Sequence, residues 1–272
     1  MDYQAQLDLT ADSQENQGSL NLNGTVNENL DLVFEASDLE VDFNSRQYDF
    51  NLNLKSLLDF SGSIEGSLES PILRLSHQLR ELSVNNNQVE LVEGEILLES
   101  SRRFSASESI NFRTGGELTA DGSYSMADDQ LNLSSNLNNL PLGFLISFLG
   151  DDYSASGSIN GAFRAEGNLE SPELGGELEM TAEYLELGLS DPIEDLLGRI
   201  NLDQGKASLE NVNGHFADGD FAVSGSLDFF NLENAWDLSL NGQNLYLEYG
   251  SLTGNFDTEL AFAGSLSNPI LK

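Results

Sequence analysis

The chain of 272 residues has no cysteine. Disulfides and thiolate metal sites are therefore excluded, and bridges give no guide to the redox compartment. Basic residues are scarce too: 11 Lys and Arg stand against 46 Asp and Glu, a formal charge of −35. Such a chain repels phosphate backbones and anionic membrane surfaces, which removes nucleic acid from the expected partners. The carboxylates read as a solvated face that keeps a large β surface soluble. A source in high salt, where screening acts within about 10 Å, suits them equally. No run approaches the ~18 apolar residues of a spanning helix. The start, "MDYQAQLDLTADSQ", also lacks the basic-then-apolar order of a signal peptide.

Chemistry-bearing constellations are missing as well. His77 and His215 stand in unrelated contexts without HExxH-like spacing, so neither a zinc centre nor a nucleophilic triad is expected. "GDD" at Gly150 and "ADGD" at Ala217 hint at calcium, but hairpin turns use the same letters and no complete EF-hand follows. Arg102 and Arg103 are the only adjacent basic pair; they suit an acidic head group or a solvated turn. The expectation is a protein without enzymatic activity, cofactor or metal.

What is present is a repeat. "GSIEGSLESPILRL" from Gly62, "GSINGAFRAEGNLESPELGGELEM" from Gly157 and "GSLTGNFDTELAFAGSLSNPILK" from Gly250 each end in Pro-x-Leu, at Pro71, Pro172 and Pro269. The prolines are roughly 100 residues apart. "GSLNLNG" at Gly18, "DGSYSM" at Gly122 and "SGSLDF" at Gly225 keep nearly the same spacing, and "EGEILLE" around Gly94 with "LGRINLD" around Gly198 falls in step. Three markers in register predict one elongated repeat domain over 1–272, with approximate units 1–75 (partial), 76–175 and 176–272. The sequence is expected to be a piece of a longer protein.

Period-two alternation dominates: Leu30, Leu32 and Phe34 share a face, as do Leu185, Leu187 and Leu189, and Leu245, Leu247 and Tyr249. The intervening residues are Asp, Glu, Asn, Ser and Thr, as in an antiparallel sheet with one apolar and one wet face. About 20 short strands of five to eight residues are expected. Their tight hairpins are placed at Asn23-Gly24, Asp121-Gly122, Asn213-Gly214, Asp218-Gly219 and Asn241-Gly242. One helix is expected at "LPLGFLISFLGDD", with Phe144, Leu145, Phe148 and Leu149 at helical spacing. A single turn is expected at "SDPIEDLLG", capped by Ser190 or Asp191 with Pro192 in the first helical position. Two such helices cannot cover the sheet, so its apolar face must close into a barrel, meet a second sheet or curl into a trough. The recurrent glycines and prolines read as the crease where each unit of sheet turns over.

These residues carry a resemblance. The element G-x-[IL]-x-G…G-x-L-x-x-P-x-L-x-G, matched at Gly157, Ile159, Gly161, Gly167, Leu169, Pro172, Leu174 and Gly176, resembles the TamB-like proteins of the AsmA-like, bridge-like lipid-transport group. So do the G-D-F-x-V-x-G-x-L element from Gly219 to Leu227 and "NLPLGFLISFLG" ahead of the glycine element. The resemblance implies an all-β fold, a long antiparallel sheet curled into an open β-taco of roughly 100-residue repeats with one or two short helices. It implies a periplasmic segment of a protein anchored in the inner membrane by a segment outside this chain. Its groove would conduct phospholipid acyl chains to the outer membrane, and an outer-membrane barrel partner would be engaged through another absent segment.

Physics gives such a groove a purpose. A phospholipid exposes roughly 30 methylenes, which at ~0.8 kcal/mol each costs about 25 kcal/mol to carry through water. A continuous apolar lining removes most of that cost. The candidate lining is Leu30, Leu32, Phe34, Leu131, Leu133, Leu185, Leu187, Leu238, Leu240 and Leu245; the competing reading of each is ordinary dry core. Three further readings stand beside it. The first is a role with the barrel partner in outer-membrane protein assembly, a sheet edge serving as template for strands. The second is a transmembrane β-barrel, against which stand one tryptophan and seven tyrosines where two aromatic girdles belong. The third is an extracellular β-rich adhesin, which predicts shorter repeats.

Overall fold

The structure, a computed structural model, describes residues 5–6, 9–12, 18–44, 52–85, 87–99, 102–150, 152–230, 235–249, 252–265 and 269–271. It is almost all antiparallel β. Two compact units divide it: residues 1–135 with 167–169, and residues 136–166 with 170–272.

The first unit holds β1 (Ala5–Gln6), β2 (Leu9–Asp12), β3 (Ser19–Val26), β4 (Asn29–Asn44), β5 (Asn53–Ser67), β6 (Ser70–Val84), β7 (Asn87–Glu99), β8 (Arg103–Phe112) and β9 (Glu117–Ser125). β10 (Gln130–Pro141) spans the division. From β3 to β9 each strand pairs antiparallel with the next, while the short β1 and β2 both pair with β3. The second unit holds α1 (Leu142–Ile146), β11 (Ser154–Gly167), β12 (Glu173–Glu186), β13 (Ile193–Asp203), β14 (Lys206–Phe216), β15 (Gly219–Asp228), β16 (Trp236–Tyr249), β17 (Leu252–Gly264) and β18 (Pro269–Leu271). Here too each strand pairs antiparallel with its successor. Among the described pairings none joins the first strand of a unit to its last, so neither sheet closes into a barrel.

The repeat is six strands long. Gly62 lies in β5 and Gly157 in β11; Gly122 lies in β9 and Gly225 in β15; Gly94 lies in β7 and Gly198 in β13. Pro71 and Pro269 fall in the first two residues of β6 and β18, and Pro172 immediately precedes β12. The "crease" is thus a β-hairpin whose proline sits at a strand start, where a missing ladder N–H costs least. Gly250 lies outside the described residues. A further marker shares this period. Asp38 in β4, Asn139 in β10 and Asn244 in β16 all have positive φ, of 54°, 55° and 57°. The backbone N–H of each donates to a side-chain oxygen on the following strand: Asp59, Asn160 and Asp257 respectively, at 2.8, 2.8 and 2.9 Å. An Asx side chain so placed satisfies a donor that the irregular strand would leave unpaired.

Several local expectations are corrected. The strands are far longer than eight residues, with 16 in β4 and 15 in β5 and β6. Asn23-Gly24, Asp121-Gly122, Asn213-Gly214 and Asn241-Gly242 lie inside β3, β9, β14 and β16; only Asp218-Gly219 marks a turn. Glycine at these sites serves the crossing between strands. At Gly24, φ is 146°, and a Cβ would lie 2.8 Å from the Leu32 Cα and nearer still to the Asp31 carbonyl oxygen. A bent strand therefore continues where a hairpin was expected. The turn at Ser190–Pro192 is not helical: residues 187–191 are bends and β13 begins at Ile193. Within β13, Asp195, at φ 49°, inserts a bulge that resets the alternation between Glu194 and Leu197. β12 ends at Glu186, so Leu187 and Leu189 lie beyond it, Leu189 half exposed. α1 is only five residues long.

Candidate functional site

The registers separate two faces. In the first unit, Leu22, Phe34, Gly62, Leu75, Ile96, Ala106 and Gly122 stand directly opposite one another across seven strands. One position along, on the other face, the row reads Asn21, Glu35, Ser61, Ser76, Glu95, Ser107 and Asp121. The second unit repeats the design: Gly161, Leu178, Ile200, Leu209, Gly225, Leu238 and Phe262 form an apolar row across seven strands. Beside it, Asn160, Glu179, Arg199 and Glu210 form a polar one. Glycines among the apolar side chains leave room for large neighbours: Phe34 lies over Gly62 and meets Phe60 edge to face, ring centroids 5.9 Å apart.

The candidate residues take three positions in this scheme. Leu30, Leu32 and Phe34 on β4 are half-buried and stand opposite Gly66, Ile64 and Gly62. On β10, Leu131 and Leu133 are half-buried, and Leu133 lies over Gly122. On β16, Leu238 and Leu240 are half-buried, opposite Phe262 and Leu260, while Leu245 is 6% exposed opposite Phe256. Leu185, 8% exposed, belongs to a packed cluster with Leu142, Ala182, Leu196 and Val212, and Leu187 packs against that cluster. α1 contributes Leu142 and Ile146 to this cluster and leaves Leu145 exposed, as are Phe148 and Leu149 in the turn that follows it. Leu247 and Tyr249 have side chains outside the described set.

The polar side is electrostatically arranged rather than merely wet. In the first unit it borders two open concavities, of 820 and 940 Å³, edged by Ser61, Ser76, Glu95, Ser107 and Asp121. Arg80 closes the bulge at Asp38, donating from Nε to Asp59 Oδ2 and from Nη2 to Asp38 Oδ1, both at 2.6 Å. The hydrogen bond from Arg80, more than any other contact, holds the Asp59 carboxyl below its ordinary range. Arg199 on β13 reaches Glu177 and Glu179, and Tyr124 donates to Asp129, which raises the phenol's pKa. "ADGD" forms the tight turn between β14 and β15, and no group of three or more metal-binding side chains occurs among the described residues. No helix among them is long and apolar enough to cross a membrane.

Sequence reasoning missed one feature. His77 lies on the apolar face of β6, with its Nε2 3.1 Å from Glu108 Oε2 on the apolar face of β8. Its signal was parity: Leu73, Leu75, His77 and Leu79 alternate in one frame, as do Phe104, Ala106, Glu108 and Ile110 in another. Comparison with protein families, with curated proteins and with solved structures finds no match for this chain.

Proposed function

We propose that this chain is a periplasmic segment of a TamB-like bridge, anchored in the inner membrane by a segment outside it. Its apolar face conducts phospholipid acyl chains towards the outer membrane and supports outer-membrane biogenesis. One observation carries the reading: eight of the ten candidate side chains remain partly exposed, five in the first unit and three in the second, and only Leu185 and Leu245 fall below a tenth exposed. A dry core would bury them all. An apolar row left partly accessible within each unit, with Glu35, Glu95 and Asp121 on the other side of the first, suits a ligand that is long, apolar and not recognised atom by atom. Partly exposed leucines cost solvation when empty, and an acyl chain recovers about 0.8 kcal/mol for each methylene it removes from water.

The test is mass spectrometry of organic extracts from protein purified without detergent. The partner sample carries Leu32→Asp and Leu240→Asp, one substitution in each unit at half-buried positions. Co-purified phospholipid or fatty acid, lost from a variant with an unchanged far-UV circular dichroism spectrum, is the expected result. Native protein that holds no lipid and takes up none from vesicles of phosphatidylethanolamine and phosphatidylglycerol would end the proposal.

A further inference from the structure

One apolar row of the second unit changes character along its length. Ala182 and Leu196, directly opposite one another on β12 and β13, are 3% and 5% exposed, and Val212 on β14, packed with them, is 9% exposed. From Val212 the row continues strand by strand through Val223 and Leu240 to Leu260 on β17, and these three are only half-buried. The covered end is where α1 lies. Leu142 joins Ala182, Leu185, Leu196 and Val212 in one packed cluster, and Ile146 rests against it. Two helix side chains thus take up the part of the apolar face that an acyl chain following the same row would reach next.

α1 has little to hold it in that place besides this packing face. It is five residues long, Pro141 at its N-cap makes no side-chain cap hydrogen bond, and neither an acidic first turn nor a basic last turn supports it. A helix so short does not persist in water on its own, so its order comes from the sheet beneath it. Nor does the fold demand it. Residues 142–153 link β10 to β11, whereas six strands later β16 ends at Tyr249 and β17 begins at Leu252. Gly143 sets how closely α1 sits, because a Cβ there would lie 2.8 Å from the Ala155 carbonyl oxygen at the start of β11. A helix interior has no need of glycine's freedom and is weakened by it, so the close seat is what glycine serves.

We propose that α1 is a displaceable lid over an acyl-binding stretch of the second unit, formed by Ala182, Leu185, Leu196 and Val212 and continuous with Val223 and Leu240. The inference rests on the acyl-chain reading above and adds a closed state, in which Leu142 and Ile146 stand where methylenes of the ligand would lie. An arriving chain exchanges one hydrocarbon contact for another. The closed state therefore lowers apparent affinity by the fraction of molecules with α1 seated.

The experiment is hydrogen–deuterium exchange of the whole chain, with and without dodecylphosphocholine below its micellar concentration. This probe is zwitterionic, so the formal charge of −35 neither attracts nor repels it as an ion. A bound ligand ordinarily slows exchange where it sits. Here the segment 142–149, in which the Ser147 and Leu149 amides donate to the Gly143 and Ile146 carbonyls, should exchange at least about threefold faster with the probe bound. In Gly143→Ala the helix keeps a good helix former and loses its close seat, so isothermal titration calorimetry should find the probe bound at least about threefold more tightly. The exchange measurement on unaltered protein stands whether or not the variant folds. Binding that leaves 142–149 unchanged or slower, or a folded Gly143→Ala with native affinity, overturns the lid and leaves the acyl-chain reading standing. Failure of both the native protein and the variant to bind the probe overturns both.

Discussion

Glycine at a strand crossing should be worth far more than its lack of a side chain suggests, and three alanine substitutions separate the causes. At Gly161 the backbone has φ 140°, and a methyl would overlap the Glu177 carbonyl and approach the Leu178 Cα to 2.9 Å. Alanine there meets two costs: roughly 1–3 kcal/mol for a conformation L side chains avoid, and roughly 1–3 kcal/mol for forcing a neighbouring backbone aside. The sum is about 2–6 kcal/mol. Gly188 isolates the first cost, because its φ is 72° and nothing lies within 4 Å of the added methyl; about 1–2 kcal/mol is expected. Gly254 has neither, since its nearest neighbour would be a ring carbon of Phe256 at 3.9 Å. Alanine there should be neutral or stabilising by up to about 1 kcal/mol through the unfolded chain. Urea unfolding followed by far-UV circular dichroism orders the three, with Gly161→Ala lowest in midpoint and Gly254→Ala at or above the native protein. If Gly161→Ala unfolds no earlier than Gly188→Ala, the close approach of strands at this crossing is not what requires glycine.

The same crossing glycines explain what the sequence could and could not reveal. Alternation of Leu30, Leu32 and Phe34, or of Leu238 and Leu240, depends only on the two-residue period of a strand, so the sharing of a face was legible at once. Strand length was not. Asn-Gly and Asp-Gly are turn formers, yet inside these strands only Gly24 of the four glycines takes a positive φ; whether a turn or a continuing strand forms depends on a partner strand distant in sequence. The bulge at Asp195 shows the complementary failure. One inserted residue turns a period of two into a spacing of three between Ile193 and Leu196, and the Ser190–Pro192 stretch, which suits a helix start, leads into a bulged strand instead. The repeat was legible from glycine and proline spacing, but its six-strand content emerged only with the positive-φ residues Asp38, Asn139 and Asn244, each closed by an Asx on the next strand. The candidate face was found by parity and its exposure was not, since nothing in a leucine's own neighbours states that Leu185 sits beneath α1 while Leu32 remains half open. His77 and Glu108 were hidden for a further reason: each looks like one polar residue in an alternating strand until the ladder puts Gly94 between them.

Charge supplies the remaining two predictions. With a formal charge of −35, the folded chain concentrates like charges on one face, and raising sodium chloride from 0.01 to 0.5 M shortens their reach from about 30 Å to a few ångströms. The thermal midpoint should rise across that range; a fall would mean that ion pairs such as Arg80 with Asp59 outweigh the repulsion. Lowering pH discharges the same face and also favours folding, so the contribution of Asp59 must be read as a difference between native protein and Asp59→Asn. Its folded pKa lies below the ordinary 3.8, chiefly because of the Arg80 hydrogen bond. Between those two values the unfolded chain binds more protons than the folded one, so stability from this group rises with pH. It is fully present above the unfolded value and disappears as pH falls through the folded one. Urea midpoints measured from pH 7 to pH 2 should therefore show native protein ahead of Asp59→Asn at neutral pH, with the gap narrowing only below about pH 4. A gap that stays constant to pH 2 would mean the substitution acts through local hydrogen-bond geometry rather than through the ion pair, since an asparagine oxygen can still accept from the Asp38 N–H as Asn160 does from Asn139.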